Sequence, residues 1–348
     1  MKARTLARSL VMVMAALALL AVLPVSRAAL AQPAQTIKLK LADASPPTHY
    51  MVVNAFKPWM DRVVQLSKTK VEFDYYPSEQ LGKLNDMVNL LQSGVADIAY
   101  VPPTSLAGQF PLHTFMTLPG LWENTIEGSK YYRQMLKEGL LLEEFTNKGI
   151  RPLIIWQTPA CEFFTAKKPI INPEDIKGMK IRTAGGTMDL IAKALNAAPV
   201  LITPGDLSTA LGRGTVDGTI FPYASVQSYR MEEQVKYGTL GARLSMSVPG
   251  YAITEQRWQK LPADVREAMT KATEEIIVSM TTWQETETLK LASAFEKGGM
   301  QIHKISGENA VAWSKALEPV TQAWIKQMEG KNLPGQQVAD LYKKVTGR

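Results

Sequence analysis

Along the first third of the chain, apolar positions switch repeatedly between two periods. In the stretch 37–43, Ile37, Leu39 and Leu41 fall on one face of an extended segment, with Lys38 and Lys40 on the other. Val52, Val53, Phe56, Trp59, Met60, Val63 and Val64 then recur at helical spacing. Period two returns at 71–76 (VEFDYY). Leu84, Met87, Val88 and Leu91 make another helical face closed by Gly94, and 97–101 (DIAYV) is the next strand. Strands separated by helices of about ten to fifteen residues predict a parallel sheet built from right-handed crossovers.

The alternation resumes at 150–156, 176–183, 198–203 and 215–221, with helices over about 187–196 and 205–213. Two short stretches correspond: LQSGVAD at 91–97 and LGRGTVD at 211–217 share L-x-x-G-x-x-D. In each, the glycine is expected to end a helix in the left-handed conformation and the aspartate to open the next strand. Two similar α/β lobes follow from this reading. From Pro262 the character changes, because Val265, Met269, Ala272, Ile276, Met280, Trp283, Leu291 and Phe295 recur at helical spacing with no Gly or Pro over 263–297. At 1.5 Å per residue that helix is on the order of 50 Å long, more than one lobe needs, so it is expected to brace both. Helices over about 307–330 and 335–345 end the chain. The expected division gives 32–157 with about 246–285 to lobe I and 158–245 with about 286–348 to lobe II.

The N-terminus changes the picture of charge. Lys2, Arg4 and Arg8 precede an uncharged apolar run over 10–23, and ALA at 29–31 has the small-x-small form of a signal-peptidase site. The run is shorter than the roughly 20 residues of a membrane span, so residues 1–31 are expected to be a cleaved signal peptide, with cleavage near Ala31. Their loss removes Lys2, Arg4, Arg8 and Arg27 and no acid, and lowers the formal charge from +7 to +3. That small excess argues against a nucleic-acid partner. The single cysteine, Cys161, cannot form an internal disulfide and reads as a small buried apolar residue. A periplasmic, monomeric protein is the expectation.

Most catalytic signatures are missing. His49, His113 and His303 are the only histidines and lie far apart, and there is no P-loop, G-x-S-x-G or G-x-G-x-x-G. No enzyme activity, cofactor or metal is expected. What remains suits the holding of a small molecule. KGMKIRT at 177–183 reads as a strand that ends on Arg182 just before the glycines of AGG. In open α/β sheets ligands bind beyond the carboxyl ends of strands, and a guanidinium fork matches a carboxylate bidentately. On the residues alone, Arg182 is equally a surface arginine paired with an acid.

Together with YYPSEQLG (75–82), LLQSGVAD (90–97), FTAKKPIINPEDIKGMKIRT (164–183), AAPV (197–200) and ALGRGTVDGTIFP (210–222), this stretch resembles the substrate-binding proteins of tripartite ATP-independent periplasmic (TRAP) transporters, the C4-dicarboxylate-binding-protein-like family. The resemblance implies a periplasmic binding protein type II-like fold, two α/β lobes that close on an organic acid, and delivery to the membrane subunits of an ion-gradient-driven permease. It also implies that Arg182 is the carboxylate-binding arginine, and that closure hinges on crossing strands near Trp156–Thr158 and Ser245–Gly250. Many relatives that take polar acids have an asparagine at the place of Phe221 and a second basic residue near Glu162. Phe221 cannot donate to a carboxylate, and Glu162 would repel a second one. The expected ligand is therefore a monocarboxylate with an apolar or aromatic body, lying against Phe221 and either Trp156 or Tyr223. Tyr100, near the end of its strand, is a cleft candidate. His49, in SPPTHY, faces the cleft or starts a helix, and Trp156, in an apolar strand, reads as core before pocket. Glu162 alone would read as solvated. A periplasmic sensor presenting the same acid to a receptor is the alternative, and a periplasmic enzyme on this fold the third reading.

Overall fold

A computed structural model describes residues 36–347, so the expected leader and its cleavage near Ala31 lie outside the described residues. In chain order the strands are β1 (Ile37–Ala42), β2 (Val71–Tyr76), β3 (Ile98–Tyr100), β4 (Ile150–Ile155), β5 (Glu162–Thr165), β6 (Lys180–Thr183), β7 (Ala198–Leu201), β8 (Gly218–Phe221), β9 (Tyr237–Leu240), β10 (Gly250–Thr254) and β11 (Gln301–Lys304). They form two sheets, ordered β2-β1-β3-β10-β4 and β11-β9-β5-β8-β6-β7. β1 alternates as its pattern predicts, with Leu39 and Leu41 buried and Lys38 and Lys40 exposed. β3 and β8, central in their sheets, are buried throughout.

The sheets are mixed rather than parallel. β1 pairs in parallel with β2 and β3, and β6 with β7 and β8. β10, however, runs antiparallel between β3 and β4, and β5 runs antiparallel between β8 and β9. Both of these strands enter a sheet from the other half of the molecule, so no helical crossover on the sheet's own face dictates their direction. The segment expected as strand over 176–183 is extended only at Lys180–Thr183, because Pro173–Ile176 forms a 3₁₀ turn tied by the Asp175 carboxylate to the Ile171 and Asn172 amides. The helix expected over 307–330 is two, Gly307–Leu317 and Pro319–Glu329; Pro319, which has no N–H to donate, marks the break.

The shared L-x-x-G-x-x-D stretches do the same work in both sheets. Gly94 and Gly214 take φ of +73° and +68° after their helices. The Asp97 N–H then donates to the Lys40 carbonyl (2.9 Å), and its carboxylate accepts from the Lys40 N–H (2.8 Å). Asp217 makes the same pair of bonds with Lys180, at 2.8 and 2.8 Å.

The long helix is Ala263–Lys297, 35 residues without a break. At its start Thr273 accepts from the Trp59 indole (3.0 Å) and donates to the Leu153 carbonyl (3.1 Å), and Glu275 pairs with Arg62. At its end Phe295 stacks on Tyr223, 5.7 Å between ring centroids. One helix therefore touches elements beside both sheets. The final helix, Gly335–Thr346, returns to the helix Thr125–Lys137 that precedes β4, and Tyr342 donates to the Leu121 carbonyl (2.9 Å).

The two passages between sheets run side by side. The Thr158 N–H donates to the Ser247 carbonyl (2.9 Å), the Ser247 N–H returns to the Thr158 hydroxyl (2.9 Å), and Cys161 and Ser245 form an antiparallel bridge.

Candidate functional site

A cavity of about 510 Å³ opens where the carboxyl ends of the parallel strands of both sheets face one another. That is the place where open α/β sheets bind ligands, and the volume suits a small molecule. Its walls come from the loops after β1, β2 and β3, the loop after β7, the end of β8 with the helix that follows, and the two passages between sheets. The mouth carries charge of both signs, already occupied locally. Lys83 holds Glu79 at 2.7 Å, and Asp206 accepts from Thr203 at 2.7 Å.

Arg182 lies one layer behind this surface. It is 2% exposed, at the end of β6, and its Nε donates to the Ile202 carbonyl at 2.8 Å. Its guanidinium carbon stands 5.0 Å from the centroid of the Phe221 ring, and Phe221 itself lines the cavity. No acid pairs with it among the described residues. Burial pulls its pKa down to about 10, which still leaves it a cation at neutral pH, and the titratable groups beside it, Cys161 and Tyr229, are themselves kept protonated by burial. A buried cation without a counterion is costly, so this group is one anion short. The turn behind it needs its glycines: Gly186 has φ +58°, and a Cβ there would meet the Thr114 methyl at 2.9 Å.

The opposite wall is aromatic. His49 and Tyr100 both line the cavity, as expected of them. His49 is also a helix start, since its Nδ1 accepts from the Met51 N–H (3.2 Å). The helix it opens widens to a π turn at Val52–Phe56, where the Lys57 N–H reaches back to Val52 just before Pro58. Tyr229, not singled out from the sequence, bridges the walls: its ring centroid is 5.2 Å from that of His49 and 6.1 Å from that of Phe221. Its only sequence signal is its place at the end of the short helix Tyr223–Ser228. Burial raises the pKa values of Tyr100 and Tyr229 and keeps both protonated.

Three expected contacts are elsewhere. Glu162 is neither solvated nor turned to the cavity; its carboxylate is buried and accepts from the Thr239 hydroxyl (2.7 Å) and from the amides of Gly241, Ala242 and Arg243 (3.0, 3.0 and 3.3 Å). It holds the turn after β9. Burial raises its pKa against those hydrogen bonds. Trp156 is core, edge-on to Phe56 at 5.4 Å. Tyr223 points the other way along its helix, donating to the Thr239 carbonyl (2.7 Å) and stacking on Phe295. A second buried acid escaped notice: Asp43, just after β1, accepts from the Ser45 N–H (2.7 Å), Tyr75 (3.0 Å) and Tyr251 (2.6 Å).

Two mixed sheets joined by paired passages and one spanning helix, with a ligand-sized cavity between their strand ends, define a two-lobe binding protein. The chain matches the family model for bacterial extracellular solute-binding protein, family 7, over residues 42–327, and it belongs to that family, the solute-binding proteins of TRAP transporters. It is thus an extracytoplasmic transport protein and not an enzyme. Its sequence is 28% identical over 256 residues to the C4-dicarboxylate-binding periplasmic protein DctP of Rhodobacter capsulatus, covering 72% of this chain and 75% of that one. The fold is similar to that of a TRAP solute-binding protein from Rhodoferax ferrireducens in complex with copurified benzoate (TM-score 0.81, 24% identity, 89% and 97% of the two chains). It is also similar to a marine metagenome TRAP solute-binding protein specific for aromatic acid ligands, in complex with metahydroxyphenylacetate (TM-score 0.79, 21% identity, 89% and 98%).

Proposed function

We propose that this protein captures a small organic monocarboxylate with an apolar or aromatic body, seats its carboxylate on Arg182, and delivers it to the membrane subunits of a TRAP permease. The observation that carries this is the unpaired guanidinium of Arg182, buried at the strand end beside the cavity. Among the described residues at the cavity, Arg182 is the cation without an acid, and it calls for one carboxylate, because Lys83 is already held by Glu79 and Glu162 is saturated by its own donors. The acid enters between Arg182 and Phe221, whose ring turns to lie along the apolar body. The aromatic wall of Tyr100 and Tyr229 accepts the rest. Similar folds that hold benzoate and metahydroxyphenylacetate support the size and class of ligand. Closure excludes water and strengthens the ion pair, since charges attract more at low effective dielectric. Thr158 and Ser247, already paired in the two passages, form the hinge, with lobe I as 32–157 plus about 246–285. The mature protein works as a periplasmic monomer.

Calorimetric titration of residues 32–348 tests the reading. Benzoate, phenylacetate and branched aliphatic acids are expected to bind, succinate is not, and Arg182→Ala weakens the binding at least about thirtyfold. Tight succinate binding with none to the monocarboxylates would sink the proposal.

A further inference from the structure

Beyond the carboxylate seat, the cavity wall carries polar groups without a partner among the described residues: the Tyr50 hydroxyl is one, and the His49 ring holds another. The Nδ1 of His49 is committed as acceptor to the Met51 N–H. Burial lowers the pKa of the ring to about 3, so at neutral pH it carries a single proton, and that proton resides on Nε2. Nε2 has no hydrogen-bond acceptor among the described residues, and the ring lines the cavity. Its orientation is fixed from both sides. The Tyr50 ring is 4.7 Å away and stacks in turn on Trp283, the Tyr50 N–H is tied to the Ser228 hydroxyl (3.1 Å), and the Tyr229 ring meets His49 edge-on.

We infer that His49 presents a fixed, neutral N–H donor to the bound ligand, and that the ligand carries a second, uncharged oxygen acceptor on its body, away from the carboxylate. This rests on the monocarboxylate reading and narrows it to hydroxy, keto or alkoxy acids. The physical reason is asymmetry. A ligand that fills the cavity displaces whatever water met Nε2, and unless it supplies an acceptor it strands a buried donor, which costs more than a hydrogen bond gains. A neutral donor also distinguishes this wall from one built for a second carboxylate, which would call for a cation.

Matched isosteres test it. The 2-, 3- and 4-methoxyphenylacetates and the corresponding ethylphenylacetates differ by one oxygen for one methylene. Titrated into residues 32–348, the methoxy acid is expected to bind about tenfold tighter than its ethyl partner at one ring position or more. In His49→Phe that ratio falls to one or below. His49→Asn, which keeps a helix-starting side chain but is too short to reach the ligand, gives the same loss. Arg182→Ala weakens both members of a pair and leaves their ratio in place. Equal binding of methoxy and ethyl acids at all three positions overturns the inference, as does a ratio that survives both His49 variants. If the acids bind through Arg182 but show no oxygen preference, only the His49 inference falls. If none binds the unaltered chain, the monocarboxylate reading falls with it.

Discussion

The two lobes can be compared residue by residue from their shared aspartate bridge. Lys40 and Lys180 hold the same place opposite Asp97 and Asp217, so two residues further on Ala42 corresponds to Arg182, and Asp43 to Thr183. Each lobe buries a charge at the end of this strand. In lobe I it is Asp43, answered by two tyrosine hydroxyls and a backbone amide; in lobe II it is Arg182, answered by one carbonyl and a ring face. The same scaffold thus carries a closed charge that supports the fold and an open one that waits for a ligand. The distinction lies in the neighbours and not in the burial, which is equally deep in both.

Arg182→Met should break the open side of this comparison most visibly. Affinity for the monocarboxylate is expected to fall by roughly 2–5 kcal/mol, or on the order of 30- to several-thousand-fold. The unliganded protein should lose no stability in urea, because an apolar side chain replaces an uncompensated cation. A large loss of unliganded stability would mean that Arg182 is a structural residue after all. Asp43→Ala should do the reverse, costing about 3 kcal/mol in urea unfolding because it strands Tyr75, Tyr251 and the Ser45 amide.

The aromatic wall has its own signature in pH. With its folded pKa near 3 and an unfolded value near 6.5, His49 takes up a proton on unfolding anywhere between, so its contribution is whole above about pH 6.5 and is lost as pH falls. From pH 7 to pH 5 the unaltered protein should lose about 2 kcal/mol more stability than His49→Gln. Comparing the pair cancels the opposing effect of Glu144, whose pKa burial raises to about 7. Equal losses would place the ring in water. The smallest effect concerns the bridges themselves. Asp217→Ala is expected to cost about 1 kcal/mol, and Asp97→Ala somewhat more, because Asp97 also holds Arg257 at 2.6 Å.

What could be read from sequence was what local chemistry decides. The glycine and aspartate of each bridge, the span of the long helix and the end position of Arg182 all follow from a few adjacent residues. The directions of β5 and β10 could not, since each is set by strands far along the chain. Glu162 was misjudged for the same reason: its donors lie 77 to 81 residues away. Tyr223, expected against the ligand, begins a six-residue helix too short to show a period in the sequence, and Tyr229 caps the end of that helix. His49 left two readings open because it fulfils both.

The insertion of β10 between β3 and β4 has a consequence for how the molecule is made. Within its sheet β4 pairs with β10 alone, and β10 follows β4 by nearly a hundred residues that build most of the other sheet. A chain delivered in order to the compartment where it folds cannot complete its first sheet until Thr254 is free. The first sheet, begun first, is finished only after most strands of the second have been delivered, so it cannot close ahead of them.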